Sequence, residues 1–237
     1  AARGAGTGRR LLERLARIAV ERGCGRFEWG VLEWNVGAQA FYRRMGATIL
    51  PDWRVCRVAG DALQALGAPA ADGDAPARTR VRAATRADVD VVVALIRELA
   101  VYEQLEHLAS ATPARLEAEL FGAAPACECL IGEQDGVAVG FALYFHNFST
   151  FLCRRGLYLE DLFVRPAARG TGMGKRLLQA LARVAVARDC GRFEWSVLDW
   201  NVDAQAFYRR MGATLLPDLR ICRVTGDALQ ALAAPAA

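Results

Sequence analysis

The pattern of hydrophobic and polar positions predicts that strands and helices alternate through residues 81–232. Strands are predicted where β-branched, aromatic and aliphatic residues cluster between turn residues, and helices where apolar residues recur every three or four positions. The predicted strands are residues 81–84, 129–133, 137–145, 158–164, 192–198 and 220–224. The predicted helices are residues 85–102, 112–120, 203–211 and 227–232, with a long one from a glycine loop to about residue 188. This order is typical of an α/β fold in which helices flank a twisted mixed sheet.

Short signals at the element ends support these boundaries. Thr85 and Asp88 have the spacing of a capping box, and Thr112 is followed by a proline suited to a first helical position. Gly212 stands where a left-handed residue would end its helix, and residues 134–136 predict a hairpin turn.

The stretch LYLEDLFVRPAARGTGMGKRLL, residues 157–178, combines a strand, a turn, a glycine loop and a helix start. Gly170, Gly172 and Gly174 precede the first turn of that helix. Unpaired backbone N–H groups and the positive end of the helix dipole lie at such a position, and glycine lets a phosphate approach the backbone. The stretch therefore indicates a pyrophosphate site, with a glycine-rich turn before a core helix as the structural alternative.

Spacing separates this loop from two other phosphate-binding motifs. A P-loop requires glycine where the chain has Arg169, and Ser or Thr where Arg176 follows Lys175. In the dinucleotide fingerprint G-x-G-x-x-G the third glycine comes one residue later than it does here. The remaining pattern is R-x-x-G-x-G, from Arg169 to Gly174.

An internal repeat organises the whole chain. Residues 1–71 align without gaps onto residues 167–237, and roughly 55 of the 71 positions are identical. The first copy begins inside the glycine loop and has no counterpart of the strand 158–164, so we expect it to be inactive alone and to be part of a tandem protein, unless the start of the gene product has been placed too late. The predicted division is a partial repeat at 1–66, an Ala-, Pro-, Gly- and Asp-rich linker at 67–79, and a complete domain at 80–237.

Several motifs in order carry a resemblance to a known family. YLEDLFV, RGTGMG and WNVDAQAFYRRMGA, together with RELAVYEQLE and GFALYFHNFSTF, resemble the GNAT superfamily of acetyl-CoA-dependent N-acetyltransferases. More narrowly, residues 81–232 resemble the spermidine/spermine (diamine) and thialysine N-acetyltransferases. The resemblance implies a GNAT-like mixed sheet, acetyl-CoA as co-substrate, direct transfer to a small amine, and a homodimer or internal pseudo-dimer.

The resemblance also implies a set of cofactor-binding residues. Backbone groups of a strand would pair with the pantetheine arm, and the glycine loop would hold the pyrophosphate. The implied residues are Leu162, Phe163, Val164, Arg169, Gly170, Thr171, Gly172, Met173, Gly174, Lys175, Asn201 and Tyr208.

Catalytic and amine-binding roles follow from the same resemblance. Tyr208 would protonate the leaving thiolate, since a phenol with a pKa near 10 stays protonated at neutral pH. Glu160 would relay a proton from the substrate ammonium, and Asp161 and Glu103 would contact the amine, with Glu106 close by. Alternation along a strand predicts that Glu160 and Asp161 point to opposite faces. The structural alternatives are core packing for Tyr208 and a solvated helix end for Glu103 and Glu106.

The substrate and the function remain open between several alternatives. Where polyamine-acetylating relatives carry a further acid, the chain has NFSTF, residues 147–151. An amino acid with a side-chain amine, such as thialysine or lysine, therefore fits at least as well as a polyamine. Acetylation of a protein lysine or N-terminus is another enzymatic alternative, and a weakly catalytic acyl-CoA sensor is a different one.

Composition excludes some classes of partner. Hydrophobic residues make up 54% and charged residues 24%, and no apolar run reaches the roughly 18 residues of a membrane span. The net charge of +4 comes from arginines that alternate with acids, which disfavours nucleic-acid binding. Cys127 and Cys129 form C-x-C on a predicted strand without a second ligand pair, so we expect no metal. Reduced thiols and a cytoplasmic location are expected.

Overall fold

The computed structural model describes residues 6–69 and 79–234, so that most of the predicted linker 67–79 lies outside the described residues. The first described range contains α1 (Thr7–Glu21), β1 (Arg26–Leu32), α2 (Val36–Arg44), β2 (Thr48–Leu50), β3 (Trp53–Val58) and α3 (Gly60–Gly67). The second begins with β4 (Thr79–Ala83), α4 (Val89–Glu103), α5 (Pro113–Phe121), β5 (Glu128–Gln134), β6 (Val137–Ser149) and β7 (Arg154–Val164). It continues with α6 (Met173–Ala187), β8 (Phe193–Leu198), α7 (Val202–Arg210), β9 (Thr214–Leu216), β10 (Leu219–Thr225) and α8 (Gly226–Ala233). Short 3-10 turns lie at Arg86–Asp88, Glu106–Leu108 and Pro166–Ala168.

The predicted α/β class and the order of strands and helices are confirmed. The capping box of Thr85 and Asp88 forms as predicted, and Gly212 has a φ of 86° after α7. One strand, β9, was not predicted because its three residues are too few to show an alternation. The placement of Cys127 on a strand was wrong, since β5 begins one residue later and only Cys129 lies on it.

The described residues form two compact units. The first comprises the described residues within Ala1–Val55, Val197–Val202 and Leu215–Ala237, and the second comprises those within Cys56–Ser196 and Asp203–Thr214. The last helix of each repeat copy, with at least half of the strand before it, therefore belongs to the unit built on the other copy. This division differs from the division of the sequence into two successive copies.

The second unit is built on a seven-stranded sheet with the order β4-β5-β6-β7-β8-β3-β9. Neighbouring strands from β4 to β7 are antiparallel, and β7 runs parallel to β8. Helices α4 and α5 bury their apolar residues against one face of this sheet, where the core includes Val92, Leu95, Ile131, Phe141 and Phe163. Helix α6 packs against strands β4 to β7 and against α3. At Gly132 a Cβ would lie 2.5 Å from the Met173 sulfur, so only glycine allows this approach.

A bulge interrupts β7 at the pair of acids. Leu159 pairs with Tyr144 and Asp161 pairs with Leu143, so Glu160 has no residue opposite it in the ladder with β6. An extra residue of this kind breaks the two-residue alternation of side chains. The expected opposite orientation of Glu160 and Asp161 relied on that alternation, which does not hold at this point.

The first unit has a smaller sheet with the order β1-β10-β2, antiparallel throughout. Helices α1 and α8 pack together, and the core includes Leu12, Ala16, Val31, Cys222, Val224 and Leu229. The described part of this unit contains repeats of the elements after the glycine loop, but its composition includes no counterpart of α4 or of β7.

Candidate active site

The glycine loop joins the end of β7 to α6. Pro166 starts a 3-10 turn directly after the strand, and the Thr171 hydroxyl donates a hydrogen bond to the Ala168 carbonyl at 2.8 Å. Gly170 and Gly172 have φ values of 83° and 84°, which other residues adopt at a cost. Gly172 is the N-cap of α6 and brings no side-chain cap, so backbone N–H groups of the first turn are suited to an anion.

The side chains of the loop differ in what they can offer to a ligand. The Met173 side chain is 1% exposed and packs against the sheet, so only its backbone can contact a cofactor. Lys175 is exposed. The Arg169 guanidinium lies 4.6 Å from the centre of the Tyr102 ring, and its Nε donates to the Val164 carbonyl at 3.1 Å. This arginine is therefore held between the end of α4 and the end of β7.

The second half of β7 extends beyond its ladder with β8. The parallel ladder joins Leu157–Leu159 to Phe193–Trp195, whereas pairing with β6 continues to Val164. Leu162, Phe163 and Val164, the predicted pantetheine residues, thus lie past the region where β7 and β8 pair. A strand edge of this kind can hydrogen-bond an extended amide chain.

Tyr208 lies on α7 and is 8% exposed. The centres of the Tyr208 and Trp195 rings are 5.0 Å apart, in an edge-on arrangement. Burial raises the pKa of the Tyr208 phenol well above its ordinary value, and nearby groups that carry negative charge when ionised raise it further. Those groups are Cys56, Glu103, Asp161 and Tyr102. Tyr208 is therefore a protonated phenol close to two carboxyl groups.

The predicted acids have different surroundings. Glu103 is the last residue of α4, and burial raises the pKa of its carboxyl group. Together with Asp161 it raises the pKa of the Tyr208 phenol through the negative charge that these groups carry when ionised. The charge of Glu160 contributes instead to the pKa of the Cys127 thiol. That pKa is raised to about 11, mainly by burial. Glu106 is exposed in its 3-10 turn. The structure thus brings Glu103 and Asp161 near Tyr208 and places Glu160 on the side of Cys127.

Asn201 directly precedes α7, and its backbone N–H donates to the Leu198 carbonyl at 3.0 Å. It belongs to the first unit, whereas the other predicted site residues lie in the second. Its repeat counterpart Asn35 caps α2 by accepting a hydrogen bond from the Ala38 N–H at 3.1 Å.

Two neighbours of Tyr208 were missed by the sequence analysis. Tyr102 lies in the motif RELAVYEQLE and could have been found there, since it directly precedes Glu103. Cys56 carried no usable signal, because it belongs to the first copy, where no site residue was predicted. Only the three-dimensional arrangement brings it within electrostatic reach of Tyr208.

Residues 6–69 and 79–234 contain no group of three or more His, Cys, Asp or Glu side chains arranged to hold a metal ion. In the same ranges, no helix has both the length and the apolar character needed to cross a bilayer.

Comparison with known proteins gives a consistent family. An L-ornithine N5-acetyltransferase of Arabidopsis thaliana is 36% identical over 199 residues, covering 65% of the chain and 87% of the relative. A thialysine N-epsilon-acetyltransferase of Mus musculus is 36% identical over 168 residues, covering 66% of the chain and 98% of the relative. Among solved structures, an integron cassette protein from the mobile metagenome of V. cholerae aligns with a TM-score of 0.57 and 26% identity, over 67% of the chain and 99% of that protein.

The family model described as Acetyltransferase (GNAT) family matches residues 1–47 and 93–213. These two ranges cover well over half of the chain, and the second includes the glycine loop, β7 and Tyr208. The chain therefore belongs to the acetyltransferase (GNAT) family and is an acyltransferase enzyme.

Proposed function

We propose that the chain transfers an acetyl group from acetyl-CoA directly to a small primary amine, with Tyr208 as the general acid. The relatives named for L-ornithine and thialysine act on amino acids that carry a side-chain amine. A human spermidine/spermine acetyltransferase-like protein is 31% identical over 141 residues. The proposed substrate class is therefore a side-chain amine of an amino acid, or a diamine or polyamine.

The observation that supports this proposal most is the surroundings of Tyr208. A buried phenol whose pKa is raised keeps its proton at neutral pH and has two carboxyl groups within electrostatic reach. A phenol used only for core packing needs no carboxylates nearby, and burying them costs free energy. The carboxyl groups fit a site that binds a cation, and a bound ammonium would oppose the rise of the phenol pKa, which by itself makes Tyr208 a weaker proton donor.

The proposed reaction assigns a step to each group. Glu103 and Asp161 bind the substrate ammonium, and Glu160 takes up its proton through water. The neutral amine attacks the thioester carbonyl, and a backbone N–H of β7 stabilises the oxyanion, a contribution of about 3 kcal/mol in other enzymes. The C–S bond then breaks, and Tyr208 gives its proton to the thiolate of coenzyme A. The protonated amide nitrogen then returns its second proton to the Tyr208 phenolate through water, and Glu160 releases the first proton to solvent, so that a neutral amide and a free thiol are formed and both side chains are regenerated.

The cofactor has a matching path along the second unit. Backbone groups of Leu162–Val164 would hold the pantetheine arm, and the loop Arg169–Lys175 would hold the pyrophosphate. Support comes from the two left-handed glycines and from the uncapped start of α6. A 15-residue helix has a substantial dipole, which favours an anion at its N-terminus.

The test is release of free thiol from acetyl-CoA by the purified chain. L-ornithine, thialysine, lysine, a short diamine, spermidine and a blank without amine are run in parallel. We expect at least one amine to be turned over well above the blank, and the preferred one decides between an amino acid and a polyamine. Binding of acetyl-CoA without turnover of any amine would reject the proposal and favour a protein substrate or an acyl-CoA sensor.

A further inference from the structure

Strand β3 and helix α3 belong to the first repeat copy, yet they complete the sheet and the helical layer of the second unit. β3 lies between β8 and β9, both from the second copy. In the first unit, β10 of the second copy takes the same place between β1 and β2. Each sheet therefore takes one internal strand from the other copy, β3 next to β8 and β10 next to β1. The helices follow the strands, since α3 packs on α6 and α8 packs on α1.

Repeat-equivalent contacts show that this exchange is reciprocal. In the second unit, the Arg57 guanidinium binds the Glu194 carboxylate at 2.7 Å. Their equivalents, each shifted by one repeat, are Arg223 and Glu28, which form the matching pair in the first unit. A Cβ at Gly212 would lie 3.8 Å from Ala62, and one at Gly46 would lie 3.8 Å from Ala228. Each of these four contacts joins a residue of one copy to a residue of the other.

We propose that residues 56–67 of the first copy are a required part of the second copy's acetyl-transfer site, and that Cys56 is a positioning residue for Tyr208. The inference rests on the proposed function for its catalytic part only. Cys56 is fully buried on β3, next to the strand that carries Trp195. Trp195 in turn contacts the Tyr208 ring edge-on.

The electrostatic environment of Cys56 agrees with this placement. Burial raises the pKa of its thiol to about 12, and the Arg209 guanidinium opposes that rise. Arg209 directly follows Tyr208 on α7, so the Cys56 thiol is within electrostatic reach of this part of the helix. A neutral thiol of fixed size would support the phenol without adding charge. The partial first copy would then contribute directly to the active domain, because it supplies a strand and a helix to it.

The exchange can be tested without measuring catalysis, by a double-mutant cycle on the unfolding equilibrium. Arg57→Ala and Glu194→Gln should be coupled, with a factor of about ten in the unfolding constant, because the variants remove the same ion pair. Arg223→Ala and Glu194→Gln should be additive within about twofold. Coupling of Glu194 to Arg223 instead would show that each copy keeps its own strand, and would overturn the inference.

The positioning role is tested with a matched pair of cysteine variants. Cys56→Val and Cys222→Val add similar bulk at equivalent, fully buried positions of the two units. We expect Cys56→Val to lower kcat about tenfold with the KM for acetyl-CoA changed less than twofold, and Cys222→Val to leave kcat unchanged. The smaller Cys56→Ala should restore most of kcat. Equal losses of kcat in both valine variants, or none in Cys56→Val, would reject the role of Cys56.

The two proposals fail in different ways. A wild-type chain that acetylates no amine refutes the proposed function, while the unfolding cycle still decides whether residues 56–67 complete the second unit. A wild-type chain that is active, with Glu194 coupled to Arg223, supports the function and refutes the exchange.

Discussion

The Trp195 ring meets the Tyr208 ring edge-on with 5.0 Å between their centres, and Trp29 and Tyr42 repeat this arrangement at 5.0 Å in the first unit. The local packing of the two tyrosines is therefore the same. Their wider surroundings differ, because Glu103 and Asp161 act on Tyr208, and the elements that carry those acids have no counterparts in the first unit. The repeat thus provides an internal control for the functional residues that it duplicates, such as Tyr208 and the glycines of the loop.

Replacing Tyr208 with Phe should lower kcat about a hundredfold, because the thiolate would leave without a proton donor. The matched variant Tyr42→Phe removes the same hydroxyl from the first unit and should leave kcat unchanged. Steady-state kinetics with saturating acetyl-CoA measures both. An unchanged kcat in Tyr208→Phe would exclude the general-acid role.

Replacing Gly172 with Ala should weaken acetyl-CoA binding. Its φ of 84° is left-handed, and an alanine there is strained by roughly 1 kcal/mol, which the loop relieves by moving. We expect the KM for acetyl-CoA to rise about fivefold while the KM for the amine stays constant. Gly6→Ala is the control, since Gly6 has a φ of 71° at the N-cap of α1 in the first copy. If both variants behave alike, the glycine loop of the second copy has no special role in binding.

Replacing Glu103 with Gln should raise the KM for the amine about tenfold, since a neutral amide binds an ammonium more weakly than a carboxylate does. Burial raises the pKa of Glu103, so its carboxylate is lost at a higher pH than an exposed one as the pH falls. The KM of the wild-type enzyme should therefore rise as the pH falls through that raised pKa. The variant should lack this rise, and a KM profile with the same pH dependence in both proteins would contradict the role.

Replacing Asp88 with Ala should lower the free energy of unfolding by about 2 kcal/mol. Asp88 accepts two hydrogen bonds from Arg82 at 2.7 Å each, and two more from the N–H and hydroxyl of Thr85 at 2.7 and 2.8 Å. Denaturant unfolding at pH 7 measures the loss. The control is Asp90→Ala, because Asp90 is exposed in the first turn of α4. This variant should change the free energy of unfolding by less than about 0.5 kcal/mol.

The same hydrogen bonds hold the pKa of Asp88 far below its ordinary value. Because the folded pKa is lower than the unfolded one, this stabilisation is complete above the unfolded value near 4 and is lost as the pH falls further. Wild-type stability should thus fall below about pH 4 more steeply than that of Asp88→Ala. Parallel pH profiles would show that Asp88 is not the group responsible.

Local sequence signals were sufficient for most elements because each depends on nearby residues. The capping box at Thr85 and the left-handed glycine after α7 satisfy the hydrogen-bonding needs of backbone groups only a few positions away. They therefore form independently of the tertiary structure. The glycine loop was recognisable for the same reason. The bulge at Glu160 was not, since a register shift depends on the strand opposite and leaves no mark in β7 itself.

The sequence alone determined the class of fold, the glycine loop, the order of the elements and the existence of two nearly identical copies. Which copy supplies which strand follows from the tertiary structure and not from the sequence. β3 and β10 share nearly the same pattern of residues, so either could satisfy the hydrogen bonds beside β8 or beside β1. Local chemistry cannot choose between such equivalent partners. The choice is made by long-range packing, which places α3 on α6, pairs Arg57 with Glu194, and brings Cys56 within electrostatic reach of Tyr208.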